Sequence, residues 1–218
     1  MIHIFGCSLS HGIPWSQCFD HTQQFKIHAV PAGDNTTQYR RFQDCVLNNT
    51  IQDDDCIIWQ MTYPNRLGFR LSPQHDFYQA YKDDDTVKHN FHGIEPNILD
   101  KSNHVDYVAF NEAWYETFYY AENINQELQS LLFHMLIAKQ KVKNKILVWF
   151  AQSDMTDVID DITGFLKQHA IKFIDKSNSI IDWTKRNNLP MDKKDLHPTI
   201  PSYTMYVKQI IKPAMEQF

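Results

Sequence analysis

The chain has 218 residues, 43% of them hydrophobic and 22% charged, which suffices for one packed domain and excludes wholesale disorder. A net charge of −5 and a pI near 6.1 give no broad electrostatic attraction to nucleic acid or to an anionic membrane. No stretch reaches the roughly 20 apolar residues of a membrane helix, and residues 1–7 lack the basic flank and long apolar run of a signal peptide. The sequence therefore predicts a soluble, cytoplasmic protein. Its oligomeric state leaves no mark in the sequence. The four cysteines, at 7, 18, 45 and 56, form no Cys-x-x-Cys pair and are expected as free, mostly buried thiols.

Short apolar runs bounded by turn formers predict five strands: Ile2–Phe5, 26–30, Cys56–Met61, 146–151 and 171–174. Helical patterns lie between them. Residues 38–47 follow the second strand. Residues 111–140 form the longest helical candidate, with Leu128, Leu131, Leu132, Met135 and Leu136 on one side. In Thr156–Gln168, the apolar residues Val158, Ile159, Ile162, Phe165 and Leu166 recur at helical spacing, with Gly164 as a weak point. Residues 202–217 read as a terminal amphipathic helix. This alternation predicts a single domain built as an α/β sandwich with a mostly parallel sheet. Residues 63–110, rich in proline, histidine and aromatic side chains, fit no clear period. They read either as an insertion or lid over a ligand site or as a plain surface loop.

Chemistry is suggested at both ends of the chain. Gly6-Cys7-Ser8 directly follows the first strand. A serine at such a turn presents its hydroxyl at the carboxyl edge of the sheet, where α/β proteins bind ligands. Its backbone N–H can face a developing oxyanion. Alone, such a serine is most often a helix cap. At the far end, Asp195-Leu196-His197-Pro198 precedes the last helix. The proline holds His197 extended, and Asp195 is near enough in sequence to orient its ring and stabilise the imidazolium. A serine needs such a base to become a competent nucleophile.

In these residues the chain resembles the SGNH/GDSL hydrolase superfamily, and its Gly-Cys-Ser start and Trp-Gln-x-Thr segment are similar to bacterial and phage members. The resemblance follows the whole chain in order, through short motifs. It implies a three-layer α/β/α sandwich of flavodoxin-like type around a five-stranded sheet. It also implies Ser8 as nucleophile, Asp195 and His197 as its partners, and Gly33 after the second strand as an oxyanion N–H beside that of Ser8. Two departures stand out. After the third strand the family carries an asparagine donor, whereas this chain reads Trp59-Gln60-Met61-Thr62-Tyr63-Pro64-Asn65-Arg66; Gln60, Thr62 or Asn65 is the candidate replacement. Asp195 stands two residues before His197 rather than three, and Asp192 is the more remote alternative.

Cys7 is the better intrinsic nucleophile, but its neighbouring position predicts that it faces the core. Tyr63 and Arg66 are candidate substrate-binding residues, with ordinary surface charge the rival reading for Arg66. His89 and His92, three residues apart near acidic side chains, match no metal-ligand spacing, and no glycine-rich phosphate loop precedes a helix. No metal or cofactor is expected. The resemblance implies a serine esterase acting on a small-molecule or carbohydrate ester, such as an O-acetylated sugar. The rival readings are an O-acyltransferase using the same site and a non-catalytic binding protein that keeps the fold.

Overall fold

The computed structural model describes residues 1–19, 22–29, 35–62, 67–70, 91–94, 122–153, 156–193 and 197–218. Five strands form one all-parallel sheet: β1 (Ile2–Phe5), β2 (Phe25–Ile27), β3 (Cys56–Met61), β6 (Ile146–Phe150) and β7 (Lys172–Phe173), in the order β2-β1-β3-β6-β7. The expectation of a mostly parallel sheet thus sharpens to a wholly parallel one. β4 (Leu67–Arg70) and β5 (Phe91–Ile94) pair antiparallel as a separate ribbon against a helix, α3, on residues Asn35–Leu47. This ribbon is the described part of the 63–110 stretch.

The central strands read as unbroken apolar runs because both faces of the sheet are covered. Alternate residues go to opposite sides. Phe5, Ile57, Trp59, Met61, Ile146, Val148 and Phe150 join one core. That core is closed by α3, α4 (Glu122–Lys141) and α5 (Thr156–Gln168) through Phe42, Leu131, Met135, Ala138, Ile159, Ile162 and Leu166. Ile4, Ile58, Leu147 and Trp149 face the other core. Its cover is two one-turn helices, α1 (Ser8–His11) and α2 (Trp15–Cys18), with α6 (Ile180–Arg186) and α7 (Ile200–Tyr206). A π turn at Val207–Ile211 and α8 (Lys212–Met215) complete the chain. The result is the expected three-layer sandwich.

Strand order reverses between β1 and β3, since the chain leaves β1 toward β2 and returns on the other side. At such a switch point the loops diverge and open a crevice above the carboxyl ends of the strands. Ser8 lies directly after β1, at this place. All four cysteines are free, and Cys7, Cys18 and Cys45 are buried. No helix among the described residues is long and apolar enough to cross a membrane.

Candidate active site

After β1 the chain turns at Gly6 and Cys7 into α1. The Cys7 carbonyl accepts from the N–H groups of Ser10 and His11 at 3.0 Å each, and the Ser8 carbonyl accepts from Gly12 N–H at 2.9 Å. One helical turn does not persist on its own, so tertiary partners must hold it. The Trp15 indole N–H donates to the Ser10 carbonyl at 2.8 Å. From β3, Gln60 Oε1 accepts from Cys7 N–H at 3.1 Å, from Ser10 Oγ at 2.6 Å and from Cys7 Sγ at 3.5 Å. A backbone N–H can only donate, so the Gln60 atom facing Cys7 is the oxygen. Gln60 Nε2 is buried and has no hydrogen-bond partner among the described residues.

The close approach leaves no room at Gly6. A Cβ there would stand 2.6 Å from Gln60 Oε1 and collide with the Ser10 side chain. Ser8 emerges half-buried, whereas Cys7 is 1% exposed and joins the core beneath it, as expected from its position. The more reactive sulfur is thus sequestered while the hydroxyl is presented.

His197 comes to Ser8 from a separate clamp. Met191 and Pro198 form an antiparallel bridge. Asp192 N–H donates to the His197 carbonyl at 2.7 Å, and Thr199 N–H donates to the Pro190 carbonyl at 3.1 Å. Ser202 Oγ donates to the same Pro190 oxygen at 2.7 Å, tying the clamp to the first turn of α7. His197 Nε2 lies 2.8 Å from Ser8 Oγ across 189 residues of sequence. The two share a cleft of about 410 Å3 with Gly12, Asp192, Ile200 and Tyr203. Ile200 is 60% exposed at its lip.

Of the residues singled out in the sequence, the structure brings Ser8 and His197 into hydrogen-bond contact. It places Gln60 under the serine turn as an acceptor, with its amide nitrogen closed off from solvent. Gln60 therefore does not fill the vacant donor position expected of it. Asp195, Gly33, Tyr63, Asn65 and Arg66 lie outside the described residues. Asp192, the more remote alternative to Asp195, reaches the cleft. One contribution went unread in the sequence: Asn35 ties the start of α3 to the end of β3. The Asn35 amide donates to the Thr62 carbonyl at 3.2 Å and accepts from Thr62 N–H at 3.1 Å. An asparagine opening a helix directly after the Pro-Ala-Gly-Asp segment of the sequence was the available signal. Among the described residues, no group of three or more His, Cys, Asp or Glu side chains is placed to hold a metal ion.

No protein-family model matches the chain, and no curated protein matches it. Solved structures do. A Bacteroides fragilis protein described as a candidate acylhydrolase superposes with a TM-score of 0.52 at 10% identity, over 99% of this chain and 86% of that one. Protein YXIM of Bacillus subtilis superposes with a TM-score of 0.51 at 14% identity, over 100% of this chain and 56% of that one. A member of the lipolytic G-D-S-L family from Veillonella parvula gives 0.49 at 12% identity, over 95% and 94% of the two chains. With the order of the parallel sheet, the likenesses to the Bacteroides fragilis and Bacillus subtilis proteins concern the fold alone: the chain shares their α/β architecture.

Proposed function

We propose that the chain is a serine esterase of the SGNH type acting on a small-molecule or carbohydrate ester. The observation that carries this reading is the 2.8 Å contact between Ser8 Oγ and His197 Nε2 in a cleft at the switch point of the sheet. Ser8 Oγ attacks the ester carbonyl while His197 Nε2 takes its proton. The tetrahedral intermediate collapses, and the alcohol leaves with that proton. The acyl group remains on Ser8. Water, deprotonated by His197, attacks the acyl-enzyme; the acid departs and the proton returns to Ser8.

The N–H of Ser8, first in its turn and without a partner inside it, serves the oxyanion together with that of Gly33. Asp195 orients His197 from the Nδ1 side. Tyr63 and Arg66 contact substrate, and residues 63–110 form an insertion of the same single domain. Partial exposure of Ser8 and His197 supports water as the acceptor, hence hydrolysis over acyl transfer.

Hydrolysis of p-nitrophenyl acetate and butyrate tests this. The wild type is expected to turn over both esters. Ser8→Ala is expected to lose at least about 1000-fold in kcat while remaining folded. Equal activity in the two proteins would locate any esterase chemistry elsewhere.

A further inference from the structure

We infer that Gln60 is a positioning residue for the nucleophile: it aims the Ser8 turn at substrate through the Cys7 amide and the Ser10 hydroxyl. The inference rests on the esterase reading above.

Three donors from one short stretch converge on Gln60 Oε1, which belongs to the strand next to β1. Cys7 N–H and Ser10 Oγ flank Ser8 on either side, so the same oxygen fixes the residues before and after the nucleophile. The Ser8 N–H and Oγ directions are set by that stretch of backbone. α1 is only four residues long and has no side-chain cap on its first turn. Its geometry is imposed from β3.

The surroundings of Gln60 show that packing alone does not explain it. It is 0% exposed in an otherwise apolar strand, Cys56–Met61. On its face of the sheet, Ile58 and Trp149 belong to the apolar core. Its Nε2 is left without a partner among the described residues, and a buried donor without one costs stability. An aliphatic side chain would avoid that penalty but would leave Cys7 N–H and Ser10 Oγ without their acceptor. Local conflicts of this kind concentrate at functional sites. Gly6 completes the device, because any side chain there would push Gln60 Oε1 off the turn.

The test compares wild type, Gln60→Met, Gln60→Glu, Ser10→Ala and the Ser10→Ala/Gln60→Met double variant on p-nitrophenyl acetate, with thermal unfolding recorded for each. Gln60→Met keeps length and removes the acceptor. It is expected to lower kcat about 10- to 100-fold, as small misplacements of a reacting group do, with KM within about twofold of wild type by the same argument. Gln60→Glu keeps an acceptor oxygen and is expected to recover most of the loss. Ser10→Ala removes one of the three donors and should lower kcat by about two- to fivefold, without adding to Gln60→Met in the double variant. An unchanged kcat in folded Gln60→Met, or a loss confined to melting temperature, would overturn the inference and leave the esterase reading standing. If Gln60→Met fails to fold, Ser10→Ala decides, and an unchanged kcat there overturns it. Absence of turnover in folded wild-type protein would remove the esterase reading, and this inference with it.

Discussion

Ser8 and Cys7 are neighbours with opposite fates. The thiol is the stronger nucleophile in isolation, yet Cys7 faces Gln60 within the core and Ser8 faces His197 in the cleft. Selection between them is made by the direction of one backbone turn. The rim of the cleft carries the next choice. Ile200 is a large apolar side chain left 60% exposed beside the site, suited to an acyl chain longer than acetyl. Each methylene taken from water contributes about 0.8 kcal/mol. Butyrate carries two more methylenes than acetate, so Ile200→Ser is expected to lower kcat/KM for p-nitrophenyl butyrate more than for the acetate, by about fourfold for each methylene that Ile200 covers. Equal effects on the two esters would place the acyl chain away from Ile200.

Among the elements, β1, β3 and α5 have the bounds read from the sequence, because strong apolar patterns there end at clear turn formers. The edge strands are shorter than expected, with β2 at Phe25–Ile27 and β7 at Lys172–Phe173. Burial on an edge is incomplete, and the apolar run overstates the ladder. α1, α2 and α6 were missed: four to seven residues hold too few turns to show a period. The terminal helix was read as continuous over 202–217 but is interrupted by the π turn at Val207–Ile211. Pro213 explains the break, since it lacks an N–H and its ring crowds the carbonyl four residues earlier, on Gln209. The meeting of Ser8 with His197 was legible because each sits at an element boundary with its motif. The role of Gln60 was not, because whether an amide donates or accepts depends on what lies beneath it in three dimensions. Gly164 lies exposed in α5 with open space where a Cβ would stand. Gly164→Ala should stabilise the protein by about 1 kcal/mol and raise Tm by about 2–4 °C in a chain of this size. A lower Tm in calorimetry would contradict the helix assignment.

At the scale of the whole molecule, a buried polar chain ties the sheet to its cover. The geometry fits a single direction of donation. Cys45 Sγ lies 3.5 Å from His28 Nδ1, His28 Nε2 lies 3.0 Å from His3 Nδ1, and His3 Nε2 lies 3.1 Å from Asp55 Oδ2. With both rings neutral, each nitrogen has a matching role. Burial, then the neighbouring His3 and Lys26, push His28 down from 6.5 to about 3, and burial lowers His3 as well. In the unfolded chain these rings take up protons near 6.5. Stability from the neutral pair is thus fully present above about pH 6.5 and is lost as pH falls from there toward about 3. Protonation of the unfolded chain at His28 alone removes up to about 1.4 kcal/mol per pH unit. Urea unfolding of wild type and His28→Gln should show a stability gap that narrows from pH 7 to pH 5. A constant gap would mean that His28 takes up its proton as readily in the folded protein as in the unfolded chain.

The central claim is that Ser8, activated by His197, is the nucleophile. Fluorophosphonate labelling followed by peptide mapping reads it directly. Wild type should carry one label on Ser8, Ser8→Ala none, and His197→Asn a label that forms at least about 100-fold more slowly, as loss of a general base implies. A wild-type protein that is folded and unlabelled, or that is labelled elsewhere, would contradict the account.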